Sequence, residues 1–424
     1  MYRSLDYDLL ILGASAGGLE AALLALQERS RVGLLTLGLP LTPETIAQLD
    51  GLNQAGLDLL DGKGGYFLPQ DRGFQAPERS RPLGSRAYLL ALPAVPLLPN
   101  LPGLTSTPYY TVVPITPPMG TPEHWLILGE GLDSFTDAYG LRQQGHRVTL
   151  LLQTPLLSPL AQRLQRDLEG RGVDIFSPVH PLAVSSDLPH QPIQVTATEG
   201  QWGGDRLLVS IGQQPAPVDL NLQALHPQIA LPLEVKPSLR SIFAPRLYGC
   251  GITLGGLGLD SIARYEARIA VPNALYFNDR VRRYDCIPYT RLATPLVTQL
   301  GWTLETASHH WPRSSLRWAE ISGFWDFPDQ SGSRDSFCAS YLQVLLDRHG
   351  QILGAQGIGS RSAQALQVLA LARQQRHPWP ALLRSLPGGD GADLLYGVEA
   401  TLKLQSPKDS AWESFFNWRR TGYI

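Results

Sequence analysis

The sequence predicts an α/β protein with two strand–turn–helix–strand units and an α+β domain towards its carboxyl end. Three observations carry this prediction: an apolar run with a glycine turn at 8–18, the same order of elements from 124, and an alternating hairpin pattern after 340. The first two are typical of parallel sheets covered by helices. The length of 424 residues agrees with two to three domains.

The first unit begins near the amino end. Asp8–Leu12 is a short apolar run bounded by Gly13, as expected for a buried parallel strand. After the turn, Leu19–Gln27 is rich in Ala and Leu, which favour a helix, and Arg31–Leu35 predicts the second strand.

The second unit repeats this order. His124–Leu128 predicts a strand, and Gly129–Ser134 opens a turn. Phe135–Gln144 predicts a helix that ends at Gly145, and Arg147–Leu152 predicts the next strand. Two such units indicate two α/β domains of the dinucleotide-binding type.

Further apolar runs complete these sheets. A stretch rich in Pro and Gly, 62–122, separates the two units. Asp205–Gly212 and Leu247–Gly251 each predict a strand that enters a glycine-containing loop, and Ser261–Leu275 predicts a helix.

The third domain follows from about residue 283. Tyr341–Leu346 and Gln351–Ile358 alternate around a short turn, which indicates a β-hairpin, and Ser362–Gln375 predicts an amphipathic helix. Strands and helices that no longer alternate indicate an α+β domain.

Composition excludes several classes of function. A formal net charge of −2 argues against a nucleic-acid-binding protein, which needs a basic excess. No apolar run is long enough to span a membrane, and we expect a cytoplasmic protein. Three Cys with no CxxC pair or Cys/His cluster predict neither a disulfide framework nor a metal site.

The first glycine turn is a candidate phosphate site. Gly13, Ser15 and Gly18 approximate the GxGxxG fingerprint directly after a strand and at the start of a helix. Small residues there let the backbone approach a pyrophosphate, and the helix amino end attracts its charge. The candidate cofactor-binding residues of this turn are Gly13, Ser15, Ala16, Gly17 and Gly18.

Several motifs occur in an order known from one family. They are the turn at 13–18, the proline-rich Ala91–Gly103, Leu247–Gly251 with the helical Ile262–Arg268, Tyr284–Pro288, and the hairpin Gly350–Gly359. In these motifs the chain resembles the FAD-dependent pyridine nucleotide–disulfide oxidoreductases, such as glutathione reductase, dihydrolipoamide dehydrogenase and mercuric reductase.

The resemblance implies a division into three domains. An FAD-binding domain would comprise residues 1–121 and 235–278, with an NAD(P)-binding-like domain at 122–234 between them. Residues 279–424 would form a dimerisation domain, and the protein would be a homodimer.

The family's redox centre is a pair of cysteines after the second strand. The corresponding stretch here, 38–46, contains none, and no cysteine precedes Cys250. A dithiol relay needs two thiols within bonding reach, so the family's route through an enzyme disulfide is not available. We expect Cys250, Cys286 and Cys338 to be buried and inert.

The resemblance also implies further FAD contacts, at which this chain departs from the family pattern. Thr36 stands where an acid usually holds the adenosine ribose, and Ala91 begins a loop that reads Ala-Leu-Pro instead of Ala-Thr-Gly. Gly251 and Ile252 replace a Gly-Asp pair whose acid holds the ribityl chain. We expect FAD to bind, with Thr36, Ala91, Gly251 and Ile252 among its contacts.

The second glycine turn is poorly suited to a nicotinamide cofactor. Glu130 and Asp133 bring negative charge to the helix end where a pyrophosphate would lie, and Ser134 replaces the third glycine. Leu152 and Gln153 provide neither the acid nor the arginine that selects NAD or NADP. We expect this domain to have the dinucleotide-binding fold but not to bind NAD(P)H.

His377 is a candidate acid/base residue. The family's His-Pro-Thr-x-x-Glu stretch aligns in two ways: His377 at the histidine with Leu382 at the glutamate, or Trp379 and Arg384 at these positions. Both alignments lose the His–Glu pair that orients the imidazole. We therefore expect a capping or surface histidine at 377.

Two functions remain open from the sequence. One is an FAD-dependent oxidoreductase in which electrons pass through the flavin itself, supplied by a protein donor. The alternative is a non-catalytic, dimeric interaction or regulatory protein with eroded cofactor sites.

Overall fold

A computed structural model describes the chain as two compact units. The described residues are 5–60, 62, 64–69, 73–77, 79–113, 122–156, 158–186, 192–276, 279–293, 295–323, 340–387 and 391–405. One unit comprises Met1–Pro99 and Ile211–Arg282, and the other comprises Asn100–Ser210 and Arg283–Ile424. The three-domain division with boundaries after residues 121, 234 and 278 stays a prediction.

Strands and helices are numbered separately in chain order. The strands are β1 (Tyr7–Leu12), β2 (Val32–Leu35), β3 (Asp58–Leu60), β4 (Tyr66–Phe67), β5 (Phe74–Gln75), β6 (Ser85–Leu90), β7 (Ala94–Pro96), β8 (His124–Gly129), β9 (Arg147–Leu152), β10 (Val173–Phe176), β11 (Pro181–Ser185), β12 (Ile193–Ala197), β13 (Gly200–Gly204), β14 (Arg206–Ser210), β15 (Gln213–Pro215), β16 (Leu247–Gly249), β17 (Tyr289–Ala293), β18 (Leu296–Gly301), β19 (Leu316–Gly323), β20 (Ser340–Asp347) and β21 (Ile352–Ile358). The α-helices are α1 (Ala16–Gln27), α2 (Pro43–Gln54), α3 (Asp133–Gln143), α4 (Pro159–Gly170), α5 (Asp260–Leu275), α6 (Leu304–Ser308), α7 (Ser360–Gln374), α8 (Trp379–Arg384) and α9 (Ala392–Gln405).

The first unit is built on a parallel sheet of order β16-β6-β1-β2-β3. Successive side chains of β1 point to opposite faces, so Leu9 and Ile11 pack with α1 and α5 while Leu10 and Leu12 join a second cluster on the other face. All four are fully buried, and each stabilises the fold by about 1.5–3 kcal/mol.

Two elements of this unit differ from the predicted boundaries. Helix α1 begins at Ala16 rather than Leu19, because the extended Ser15 caps it and accepts a hydrogen bond from Gly18 N at 3.4 Å. The strand predicted at Leu247–Gly251 ends at Gly249, and a 3₁₀-helix begins at Gly251, where φ is +69°.

The second unit contains one parallel and two antiparallel sheets. The parallel sheet has the order β10-β9-β8-β14, and the antiparallel ones have the orders β11-β12-β13 and β17-β18-β21-β20-β19. The predicted hairpin is confirmed as β20–β21, and α7, α8 and α9 cover one face of its sheet. Val297, Tyr341 and Ile358 share a hydrophobic core with Trp125 and Phe135, which joins this five-stranded sheet to the parallel sheet.

Two properties of the described residues concern membranes and metals. Within these ranges no helix has the length and apolar character needed to cross a bilayer. Nor do three or more His, Cys, Asp or Glu side chains in these ranges come together in a group that could hold a metal ion.

Candidate functional site

The first glycine turn packs against the loop that follows β6. Gly13 has φ +111°, and its N–H donates to the carbonyl of Leu35 at 2.9 Å. A Cβ on Gly13 would overlap the carbonyl of Ala91, and one on Gly18 would overlap the carbonyl of Gly13. Because backbone atoms occupy these spaces, both positions require glycine.

The start of α1 is held against α5. A Cβ on Gly17 would lie 2.8 Å from the Cys250 sulfur and 3.0 Å from the carbonyl oxygen of Ala263. Gly17 and Gly18 are buried, whereas Ser15 and Ala16 are partly exposed. No acidic residue lies in the first turn of α1, so no carboxylate opposes an anion at this helix end.

Two loops at the carboxyl ends of β6 and β16 meet beside this turn. Cys250 N donates to Leu90 O at 3.0 Å, and Leu92 N donates to the Thr253 hydroxyl at 3.0 Å. Thr253 is fully buried, and Ile252 is 7% exposed. The structure therefore brings Ala91, Gly251 and Ile252 together with the glycine turn.

Thr36 lies apart from these loops, directly after β2. It is 3% exposed, and its N–H donates to Leu60 O at 3.3 Å. A cavity of about 250 Å³ opens at the same ends of β2 and β3, lined by Leu35, Leu60 and Arg79 among others. In doubly wound folds this end of the sheet receives the nucleoside part of a dinucleotide.

Sequence reasoning missed three polar residues of this region. Glu20 on α1 is 9% exposed and accepts from Arg268 Nε at 2.8 Å, with the Arg264 guanidinium 3.7 Å away. Thr253 holds Leu92 as described, and Glu266 on α5 accepts from Gly251 N at 2.5 Å. For Glu20 the signal in the sequence was an acid within an otherwise apolar helical stretch, which has no unique interpretation.

The described cysteines are buried, as expected. Cys250 is fully buried, and burial raises the pKa of its thiol, with the Glu266 carboxylate adding to the effect. Cys286 is 8% exposed, and burial and then Asp285 raise its pKa. Both thiols therefore stay protonated and unreactive at neutral pH. Cys338 lies outside the described residues.

The second glycine turn carries negative charge. Helix α3 begins at Asp133, which is exposed together with Glu130. Burial, and secondarily the charge of Asp133, raises the pKa of Asp137 to about 6, although a hydrogen bond from Ser210 opposes this shift. The pyrophosphate of a nicotinamide cofactor would therefore be repelled at this helix end, because it carries the same negative charge as these carboxylates.

The region of the candidate acid/base residue is stabilised by a different pair. His377 is exposed and precedes α8. Trp379 is 2% exposed, and its indole N–H donates to Glu399 Oε2 at 2.7 Å. Trp379 is thus a packed structural residue, and a role for His377 in proton transfer stays a prediction.

Comparisons with known proteins find similar sequences among curated enzymes. No protein-family model matches the chain. It is 26% identical over 267 residues to the probable pyridine nucleotide-disulfide oxidoreductase RclA of Escherichia coli, covering 59% of this chain and 58% of that protein. It is 30% identical over 296 residues to a mercuric reductase of Shewanella putrefaciens, covering 68% of this chain and 51% of that protein. The sequence matches thus span about half the length of these curated relatives.

Solved structures share the fold over nearly the whole chain. The HOCl-induced flavoprotein disulfide reductase RclA of Escherichia coli, solved as a Cu(II) complex, superposes with a TM-score of 0.74 at 20% identity, over 95% of this chain and 100% of that one. LpdA of Mycobacterium tuberculosis gives 0.76 at 18% identity, over 94% and 99%. The two parallel sheets correspond to the two Rossmann domains of this fold. The chain thus has the fold of the pyridine nucleotide–disulfide oxidoreductases, and over part of its length its sequence is similar to curated proteins of that family.

Proposed function

We propose that the chain is an FAD-binding oxidoreductase that works without the cysteine pair of its family. The observation that carries this proposal is the first glycine turn. Gly13 and Gly18 lie so close to neighbouring backbone carbonyls that neither position has room for a side chain. The amino end of α1 has no acidic side chain in its first turn. Such a helix end, after a parallel strand, is suited to a pyrophosphate.

The described residues are better suited to the pyrophosphate of FAD than to its flavin. Ser15, Ala16 and the N–H groups of α1 would hold the pyrophosphate, and Thr36 would face the ribose at the end of β2. Ala91, Gly251 and Ile252 would line the flavin side, where Ile252 provides van der Waals contact and no hydrogen bond. When bound, FAD supplies two-electron redox chemistry, and these residues bind and orient it.

The buried thiols determine which route remains. Cys250 and Cys286 are protonated and buried, so neither can act as the thiolate that attacks a substrate disulfide and passes electrons to it. The electron acceptor would therefore have to meet the flavin directly. A protein electron donor and a homodimeric assembly belong to the same proposal.

Replacing the cysteines tests this route. In a variant with Cys250→Ala, Cys286→Ala and Cys338→Ala, we expect retention of FAD and reoxidation of the dithionite-reduced protein by ferricyanide within about twofold of the unaltered rate, because no thiol carries electrons. Stopped-flow absorbance at the flavin bands measures both. A loss of tenfold or more with FAD retained would show that a thiol takes part.

The charge at the second turn predicts how the protein responds to nicotinamide nucleotides. We expect no saturable binding of NADH or NADPH up to about 1 mM, because Glu130, Asp133 and Asp137 repel the pyrophosphate. Isothermal titration of the FAD-loaded protein measures this. A dissociation constant in the micromolar range, or rapid bleaching of the flavin by NADPH, would contradict the prediction.

The second candidate is a non-catalytic dimeric interaction or regulatory protein. Two observations favour this function. Ile252 stands at the position of the family's acid, and the Trp379–Glu399 pair lies near the candidate acid/base residue. The absorption spectrum of the purified protein distinguishes the two. Absence of flavin bands, together with no uptake of added FAD, would favour the non-catalytic function.

A further inference from the structure

A buried carboxylate on α5 holds the segment that follows β16. Glu266 is 3% exposed, and its Oε2 accepts a hydrogen bond from Gly251 N at 2.5 Å. Gly251 is the first residue of the 3₁₀-helix Gly251–Leu254, where N–H groups have no partner within the helix. A hydrogen bond from an amide to a carboxylate is short and strong because the acceptor is charged.

The same segment is held on its other side by the loop after β6. Cys250 N donates to Leu90 O, and the Thr253 hydroxyl accepts from Leu92 N, each at 3.0 Å. A Cβ on Gly251 would lie 3.1 Å from the Cβ of Ala263, so the turn packs directly on α5. Its conformation is therefore fixed by β6 on one side and by α5 on the other.

Glu266 supplies a polar anchor that the turn itself lacks. Ile252 has no polar side-chain atom, whereas the family pattern places an acid there. The hydrogen bond to Gly251 N places the Glu266 carboxylate against residues 250–251, and its charge adds to the effect of burial in raising the pKa of the Cys250 thiol. The carboxylate of this region thus lies on the helix behind the turn instead of on the turn.

We propose that Glu266 is a positioning residue, whose carboxylate fixes Gly251 in the conformation that presents Gly251 and Ile252 to FAD. This inference rests on the proposed FAD site. It assigns Glu266 a role in cofactor affinity through the backbone of Gly251, without contact to the reacting atoms.

Three variants separate this role from general stability. Glu266→Met removes the acceptor at similar volume, and Glu266→Gln keeps a neutral oxygen acceptor at the same length. Glu123→Met is the matched control, because it also deletes a largely buried carboxylate that accepts a hydrogen bond, from Arg206 Nη2 at 3.0 Å, but it belongs to the other unit and does not contact Gly251. For each, amide exchange at Gly251 is measured in the apoprotein, and FAD affinity by fluorescence titration.

We expect Glu266→Met to speed exchange of the Gly251 amide and to raise the FAD dissociation constant by about tenfold or more. Glu266→Gln should restore both to within about threefold, and Glu123→Met should leave both near the unaltered values. An unchanged FAD constant in Glu266→Met, or an equal loss in Glu123→Met, would overturn the positioning role.

FAD uptake by the unaltered protein distinguishes failure of the proposed function from failure of the inference about Glu266. If it takes up no FAD, the proposed function fails, and with it the cofactor role of Glu266. If it binds FAD while Glu266→Met leaves both affinity and Gly251 exchange unchanged, only the inference about Glu266 fails.

Discussion

Gly18→Ala is expected to abolish FAD binding, reducing the flavin content of the purified protein to less than about a tenth of the unaltered value. A Cβ at this position overlaps the carbonyl of Gly13, a backbone atom that cannot rotate away. Relief requires α1 to shift from the strand end, which moves the N–H groups that would bind the pyrophosphate. The expected loss in free energy of unfolding is about 1–3 kcal/mol, as for other overpacked cores.

Gly51→Ala is the matched control for this substitution. Gly51 lies within α2, is exposed, and has no atom within 4 Å of an added Cβ. Alanine there should stabilise the helix by about 0.5–1 kcal/mol and leave FAD content unchanged. Flavin absorbance and urea unfolding measure both variants. A Gly18→Ala protein that binds FAD normally would contradict the assignment of this turn as the pyrophosphate site.

Asp137→Asn is expected to stabilise the protein at neutral pH by about 2–3 kcal/mol. The folded pKa of Asp137 is raised from 3.8 to about 6, mainly because burial disfavours its charged form. Asparagine removes this charge and can still pair with the Ser210 hydroxyl. The gain should appear in urea unfolding at pH 7.

The pH dependence follows from the direction of this shift. Between about pH 4 and pH 6 the folded state holds a proton that the unfolded state has lost, so stability decreases as pH rises through this window. Above pH 6 the penalty is complete, and below pH 4 it is absent. The stability difference between Asp137→Asn and the parent should therefore grow from near zero at pH 4 to its full value at pH 7.

Asp50→Asn serves as the control for this prediction. Asp50 is an exposed carboxylate on α2, and its replacement should change stability by less than about 0.5 kcal/mol at any pH. A difference between Asp137→Asn and the parent that is constant from pH 4 to pH 7 would show that proton binding at Asp137 is not its cause.

Local sequence signals were sufficient for the strand–turn–helix–strand order of the two glycine-turn units, but not for elements such as α2 and α4. The apolar runs of β1, β8 and β9 and the glycine turns after β1 and β8 follow from backbone geometry and side-chain burial, which act over a few residues. The departures at 38–46 and Ile252 are also visible in the sequence alone. Boundaries shifted by a few residues where a cap such as Ser15 extended a helix.

The internal anchors of the candidate site depended on tertiary structure. The Leu92–Thr253 hydrogen bond joins residues 161 positions apart, and the packing of Gly17 against Cys250 joins residues that are still further apart. No local pattern encodes such pairs, because they arise only when β6 and β16 become neighbours in the sheet and α5 packs on α1.

The sequence by itself thus determined the fold class, the two glycine turns and the lack of a cysteine pair before residue 250. Only the tertiary structure decided that the first turn is closed by Ala91 and Cys250, and that Glu266 holds Gly251. The physical reason is that turns and caps are set by neighbours along the chain. Buried hydrogen bonds of this site, in contrast, are made between segments that meet only after the sheet has formed.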